Sequence, residues 1–415
     1  MKKRKYRTYM ALVLLISLAL CGCKKEKPEQ GDQTGTRMLN SSIPWEMGFL
    51  AAGDGGLLLE ISAEGNVQEI QTGSQENFLD IWTDGKQIFL AGEDGQIYRG
   101  DAEYSFIKEE SGCKEELGAG VSYLGREYCG GENGTVIVSS GDGSWELCSV
   151  GIEGTVTGME ASESRCLLVT DKGEAAVTEN GDSWTVLRYG EYYQKEVTFQ
   201  GLAYDGINFC AYGKTEEGAR LFYTDSGMAW TERDINYLEG NNADLSEIDI
   251  LSMASDGQQF YAWCGEGRLF TFPDCVQCNK ETKVEGVISG TASYNGGKLL
   301  IAEDADHLTV LDTEAAKQYR VSAETAYQRQ QEGAVLIDVR SLEDHEEKAI
   351  KGSVSIPLDE VEERLPEKYP DLGQVLIFYC AQGIRSQSAV ETARRLGYVE
   401  VYSMGSIEDW NYEWE

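Results

Sequence analysis

The chain has 415 residues, too many for one ordinary domain and enough for two or more. Apolar residues make up 41% of it, which excludes wholesale disorder. Lys and Arg total 36 against 71 Asp and Glu, a formal net charge of -35 that excludes a nucleic-acid-binding body and charge attraction to anionic lipid. The two histidines, His307 and His345, are too few for a multi-histidine metal centre or a haem protein, and no cofactor is expected.

Lys2, Lys3, Arg4, Lys5 and Arg7 form a basic start, followed by an apolar run from Met10 to Leu20. That run is about half of what crosses a bilayer, so it reads as a signal-peptide core. It ends in Leu20-Cys21-Gly22-Cys23, which resembles the lipobox of bacterial lipoproteins. Gly22 makes Cys23 the better lipid acceptor, since Cys21 would follow the bulky Leu20. The resemblance implies a signal peptide over 1–22 and a lipid on Cys23. The mature chain would then be held on the extracytoplasmic face of the cell membrane. An ordinary secretory peptide is the alternative. Residues 23–44 are polar and aperiodic, and are expected to form a flexible tether.

From Trp45 to about residue 315 one pattern recurs: a turn pair, a short apolar strand, a Gly-containing turn and a second strand. Asp84-Gly85 leads into Ile88-Phe89-Leu90-Ala91, then Gly92-Glu93-Asp94-Gly95. Asp205-Gly206, Asp256-Gly257 and Asn295-Gly296 open the same pattern, and weaker copies start near Trp45, Leu124 and Ser162. The spacing of roughly 40 residues is that of a four-stranded propeller blade. About seven blades are expected, because such small sheets bury their faces only by stacking around an axis.

Val177 to Trp184, Tyr223 to Trp230 and the shorter Ser140 to Trp145 resemble the Asp-box turns of sialidase-like and photosystem-assembly-factor propellers. The resemblance implies a structural motif, with the Trp packed into the blade and the polar turn bonded to itself. A sialidase is not implied, because Phe-Arg-Ile-Pro is missing and the arginines are scattered. A binding or scaffolding role, with a possible protein partner, is the default.

Over residues 320–415 the texture becomes α/β, with a parallel sheet expected. Val335 to Arg340, Val354 to Pro357, Val375 to Tyr379 and Val399 to Tyr402 read as strands, and Ser386 to Leu396 as a helix. Ser341 can cap a helix bearing Glu343 and Asp344 in its first turn. Cys380 falls where a strand turns into a helix, and amides converging there favour an anion, including a thiolate. Gly383 lets the loop curl, and Arg385 offers a planar cationic fork to an anionic substrate.

Leu336-Ile337-Asp338-Val339-Arg340, Ile350 to Pro357, Tyr379 to Ser386 and Gly405 to Trp410 together resemble the single-domain rhodaneses. The resemblance implies sulfur transfer from a small anionic donor such as thiosulfate, through a Cys380 persulfide, to a thiol or cyanide-like acceptor. It implies Cys380 and Arg385 as catalytic residues, and Ala381, Gln382, Gly383, Ile384 and Ser386 as the substrate cradle. Cys380 to Arg385 is the shorter, sulfurtransferase form of the loop; related cell-cycle phosphatases have one residue more. Lys348-Ala349-Ile350 departs from the family's Gly-His-Ile, and His345 stands at an aromatic position, where packing or solvent is expected. Asp338 and Arg340 read as a structural pair, and Arg394 and Arg395 as an exposed helix face. The alternative is a propeller binding protein whose carboxy-terminal module senses or carries sulfur with little turnover.

Nine cysteines remain beyond Cys21 and Cys23, and an exported chain can pair eight of them. Most sit in apolar strand contexts, where cysteine acts as a small hydrophobe. Cys275-Val276-Gln277-Cys278 is a lone CxxC, and no metal is expected there.

Overall fold

The computed structural model describes residues 36–234, 248–257, 259–272, 280–313 and 318–414. The segment expected to be a lipobox, with Cys23, and the Cys275/Cys278 pair lie outside the described residues.

Residues from Leu39 to Asp312 form seven antiparallel sheets, each built from consecutive strands. Six have four strands; the seventh, Thr291–Asn295, Lys298–Ala302 and Leu308–Asp312, has three. The first strand of each blade packs beside the first strand of the next, and Thr291–Asn295 packs beside Leu39–Trp45 to close the ring. At the closure the Ser42 and Thr291 hydroxyls are 3.0 Å apart, and the Leu39 amide donates to the Glu303 carbonyl at 2.7 Å. The seven turn positions read from the sequence, from Trp45 to Asn295, are the hairpins between first and second strands.

Burial follows position in the blade. Second strands such as Ile88–Gly92 and Cys166–Thr170 are wholly buried, because neighbouring blades cover both faces. The outer strand Val67–Glu69 is wholly exposed. First strands line a polar channel of about 580 Å³ with no Lys, Arg or His in its described lining. Within it, burial pushes the Asp80 carboxyl up to about 6, against hydrogen bonds from Ser41 and Gly120. Glu160 is pushed up to about 8 by burial and by the charge of Asp80.

The channel explains one correction. Leu39–Trp45 is a strand, so the last six residues of the tether expected over 23–44 belong to the first blade. Its sequence, LNSSIPW, buries only its two ends, because its middle faces the channel.

The turns are held by their own polar groups. Asp84 Oδ1 accepts from the Lys86 and Gln87 amides at 2.8 and 2.6 Å, and Asp205 Oδ1 accepts from Ile207 and Asn208 at 2.8 and 2.6 Å. After the second strand, a side chain at Gly92 would put Cβ 2.1 Å from the Asn77 carbonyl oxygen, so only glycine fits. In the Trp-containing turns, Asn180 Oδ1 accepts from the Asp182 and Ser183 amides at 3.0 and 2.9 Å. The Trp145 and Trp230 side chains are buried, and their indole N–H groups donate to Glu109 and to the Gly227 carbonyl.

Cys129, Cys166 and Cys210 are buried in second strands, and Cys113, Cys129, Cys148, Cys166 and Cys380 are thiols.

The carboxy-terminal domain is a parallel sheet of β1 (Val335–Asp338), β2 (Val354–Ser355), β3 (Leu376–Cys380) and β4 (Val401–Ser406), in the order β2-β1-β3-β4. Its helices are α1 (Ala323–Gln331), α2 (Leu342–Glu347), α3 (Val361–Lys368) and α4 (Ile384–Arg395). The sheet's apolar runs are buried on both sides. Ser341 Oγ accepts from the Asp344 amide at 3.2 Å, the expected cap of α2. Several boundaries differ from expectation by one to four residues, two of them at the loop. α4 begins two residues before Ser386, directly after Gly383. β4 runs on to Ser406, because its last residues pair with Tyr379 and Cys380.

Candidate active site

Cys380 is the last residue of β3, opposite Ser406 of β4, and is fully buried. The chain then turns through Ala381, Gln382 and Gly383 into α4. Gly383 has φ +100°, and a side chain there would put Cβ 3.3 Å from Gly405 Cα. This left-handed turn brings the Gly383 amide to 3.0 Å from Cys380 Sγ, as donor. The contact joins the N-terminus of α4 to the sulfur.

The remaining loop contacts brace the backbone. Ser386 is fully buried, donates to the Gly383 carbonyl at 2.9 Å and lies 2.9 Å from the Ser403 hydroxyl and 3.8 Å from Cys380 Sγ. Ser406 Oγ donates to the Ala381 carbonyl at 2.5 Å. Of the cradle read from the sequence, Ala381, Gln382 and Gly383 thus form the turn beside the sulfur. Gln382 is exposed. Ser386 sits behind the loop, and Ile384 is buried against Gly296 of the seventh blade. The half-buried Arg385 carries an Nε with no hydrogen-bond partner among the described residues. Ser403, Gly405 and Ser406 were not assigned a role from sequence. Their signal was their place at the end of the strand beside Cys380, visible only once the sheet order is known.

A second polar group stands at the end of β1. Arg340 Nη2 and Nε donate to Asp338 at 2.7 and 3.0 Å, and His345 Nδ1 lies 3.0 Å from Asp338 Oδ2. Burial pushes the Asp338 carboxyl up, but hydrogen bonds from Arg340 and His345 hold it below its ordinary value. His345 is therefore a partner of the Asp338–Arg340 pair, correcting the reading that it merely packs or faces water. Tyr379, beside Cys380 in β3, holds Ser353 Oγ at 2.7 Å and accepts from the Ile350 amide at 3.2 Å. Arg394 also departs from expectation. It is half-buried and stacks 4.1 Å over the Tyr319 ring, while the exposed Arg395 pairs with Glu362 at 3.1 Å.

A buried cysteine closing a parallel strand, an amide on its sulfur and an arginine two residues beyond that amide make up a compact loop between β3 and α4. The model of the rhodanese-like domain matches residues 322–413. Thiosulfate sulfurtransferase PspE of Escherichia coli is 36% identical over 73 residues, covering 18% of this chain and 70% of that protein. Through this domain the chain belongs to the rhodanese-like family. The mouse thiosulfate sulfurtransferase/rhodanese-like domain-containing protein 3 is 40% identical over 89 residues, covering 18% of this chain and 57% of that protein. The rhodanese domain is thus a sulfurtransferase-family module occupying the last quarter of the chain. For the remainder, the solved structure of YCF48 bound to D1 peptide superposes with a TM-score of 0.51 at 13% identity, covering 67% of this chain and 93% of that one. That likeness concerns the propeller fold alone.

Proposed function

We propose that the protein is a rhodanese-type sulfurtransferase in which Cys380 carries the sulfur. The Cys380 thiolate attacks the outer sulfur of a small anionic donor such as thiosulfate. The donor's S–S bond breaks, sulfite leaves with the electron pair, and Cys380 becomes a persulfide. A thiolate or cyanide acceptor then attacks the terminal sulfur, and the Cys380 thiolate departs, restoring the enzyme without an external oxidant or reductant. The observation that carries this reading is the Gly383 amide, a donor 3.0 Å from Cys380 Sγ, the atom that attacks in the first step and leaves in the second. Arg385 is proposed to hold the anionic end of the donor, and the amides from Ala381 to Ile384 to cradle it.

The loop from Cys380 to Arg385 has the shorter length, which supports sulfur over phosphate as the electrophile. The proposed setting is the extracytoplasmic face of the cell membrane, through lipid on Cys23, with the propeller as a binding or scaffolding module whose Trp turns are of the Asp-box kind. The test is thiosulfate:cyanide sulfur transfer by the purified full chain beside Cys380→Ser, with phosphoester hydrolysis as the control expected to stay at background.

The full burial of Cys380 supports a second reading, in which the module carries or senses sulfur with little turnover. The two readings part on turnover number. Many cycles per protein support the enzyme; a single persulfide loading without release supports the carrier.

A further inference from the structure

α4, the helix that begins at the catalytic loop, lies across three blades of the propeller. Its 12 residues span about 18 Å. At its first residue, the Gly296 backbone is pressed against Ile384: a Cβ at Gly296 would fall 2.4 Å from Ile384 Cγ2 and 2.5 Å from the Ile384 carbonyl oxygen. Two turns along, the Tyr294 hydroxyl donates to Glu391. That hydroxyl accepts from the Gly297 amide at 2.8 Å, and the Tyr294 ring stacks on Tyr261, whose own hydroxyl donates to Asp256 at 2.8 Å. At the far end, Arg395 lies against Gly206. The surfaces involved are the first-to-second-strand turns of blades five, six and seven, one structural position used three times. A cavity of about 480 Å³, lined by Asp205, Asp256, Glu391 and Arg395 among others, lies between the helix and the turns of blades five and six. Direct contact is therefore closest at blade seven, beside the loop.

We propose that the Tyr294–Gly297 turn of blade seven is a positioning element for sulfur transfer, holding the first turn of α4 where the Gly383 amide meets Cys380. The proposal rests on the sulfurtransferase reading of Cys380. The physical reason is short. Gly383 immediately precedes Ile384, and the helix moves as a hydrogen-bonded rod, so whatever fixes Ile384 and Glu391 fixes the amide on the sulfur. Tyr294 and Gly296 touch no substrate; they act through the helix.

The test compares full-length wild type with Gly296→Ala, Tyr294→Phe, Glu391→Ala and Glu391→Gln. A methyl group at residue 296 meets a backbone carbonyl as well as Ile384 Cγ2, so no rotamer change alone relieves it and the turn and the helix must move apart. For Gly296→Ala, kcat is expected to fall about tenfold while KM for thiosulfate stays within about twofold. Tyr294→Phe and Glu391→Ala should follow in the same direction, and Glu391→Gln, which keeps an acceptor for the Tyr294 hydroxyl, should restore most of the rate. Amide hydrogen exchange is the second readout. Exchange over residues 383–395 should quicken in Gly296→Ala while blades one to four keep wild-type protection. Unchanged kcat, or a loss spread equally over KM and propeller stability, overturns the proposal. An inactive wild type would sink only the sulfurtransferase reading, and the clamp would then stand or fall on exchange in α4.

Discussion

The backbone amide of Gly383 donates to the sulfur of Cys380 across 3.0 Å, and it does so from a conformation with φ +100°. An L side chain at that position is strained by about 1–3 kcal/mol and also meets Gly405. Gly383→Ala is therefore expected to lower kcat for thiosulfate:cyanide transfer at least about tenfold by displacing the amide. Circular dichroism should report the wild-type fold. Wild-type kcat in a folded variant would remove this contact from the mechanism.

Arg385 tests the donor's charge. Its Nε has no hydrogen-bond partner among the described residues, so truncation should spare the fold and weaken donor binding. Arg385→Ala is expected to raise KM for thiosulfate about tenfold, and Arg385→Lys to restore part of it, since an ammonium lacks the guanidinium fork. Steady-state kinetics at fixed ionic strength would check both.

The Asp338–Arg340–His345 group is structural, and its loss should appear as stability. Arg340→Ala removes the guanidinium and leaves the buried carboxylate with His345 and the residue-340 backbone amide, and is expected to cost about 3 kcal/mol in urea unfolding of the rhodanese domain. The folded Asp338 carboxyl sits below its unfolded value. Its stabilisation is therefore present above the unfolded pKa and is lost as pH falls through the folded one. Acid unfolding should begin at higher pH in His345→Ala than in wild type.

Glu391 has the opposite sign. Burial pushes its carboxyl up to about 8, opposed by the Tyr294 hydrogen bond and assisted by the charge of Asp256. The groups facing it across the docking surface are Tyr294, Tyr261, Asp256 and Asp205, with Arg394 and Arg395 on its own helix. The folded state keeps a proton that the unfolded state releases near the ordinary carboxylate value. Stability therefore falls as pH rises from that value to about 8, then levels. Asp80 and Glu160 in the channel add to the same slope, so Glu391→Gln should flatten it only in part. Thermal melts at pH 5 and pH 8 would show the variant losing a smaller share of its melting temperature than wild type, by about 2–4 °C. Equal losses would contradict the burial assigned to Glu391.

The candidate loop was legible because its chemistry is local: Cys380, Gly383 and Arg385 lie within six consecutive residues, and strand-loop-helix order follows from Leu376 to Arg395. The blades were legible through turn chemistry, since Asp84, Asp205 and Asp256 each bind amides two or three residues on. Leu39 to Trp45 was not, because an inner strand that faces a polar channel lacks the alternation that marks a half-buried strand. His345 was misread for a related reason: its partner Asp338 is seven residues away, across a strand end and a capped helix. The contact between Gly296 and Ile384 was beyond sequence reading, because it depends on how two domains meet and no local pattern encodes it.

The account is tested most directly by the mass of the Cys380 peptide after the full-length protein has been incubated with thiosulfate and rapidly digested under non-reducing conditions. The account predicts a gain of one sulfur atom on that peptide, reversed by cyanide with release of thiocyanate and absent in Cys380→Ser. An unchanged mass on Cys380 in folded protein, or the added sulfur found on another cysteine, would contradict it.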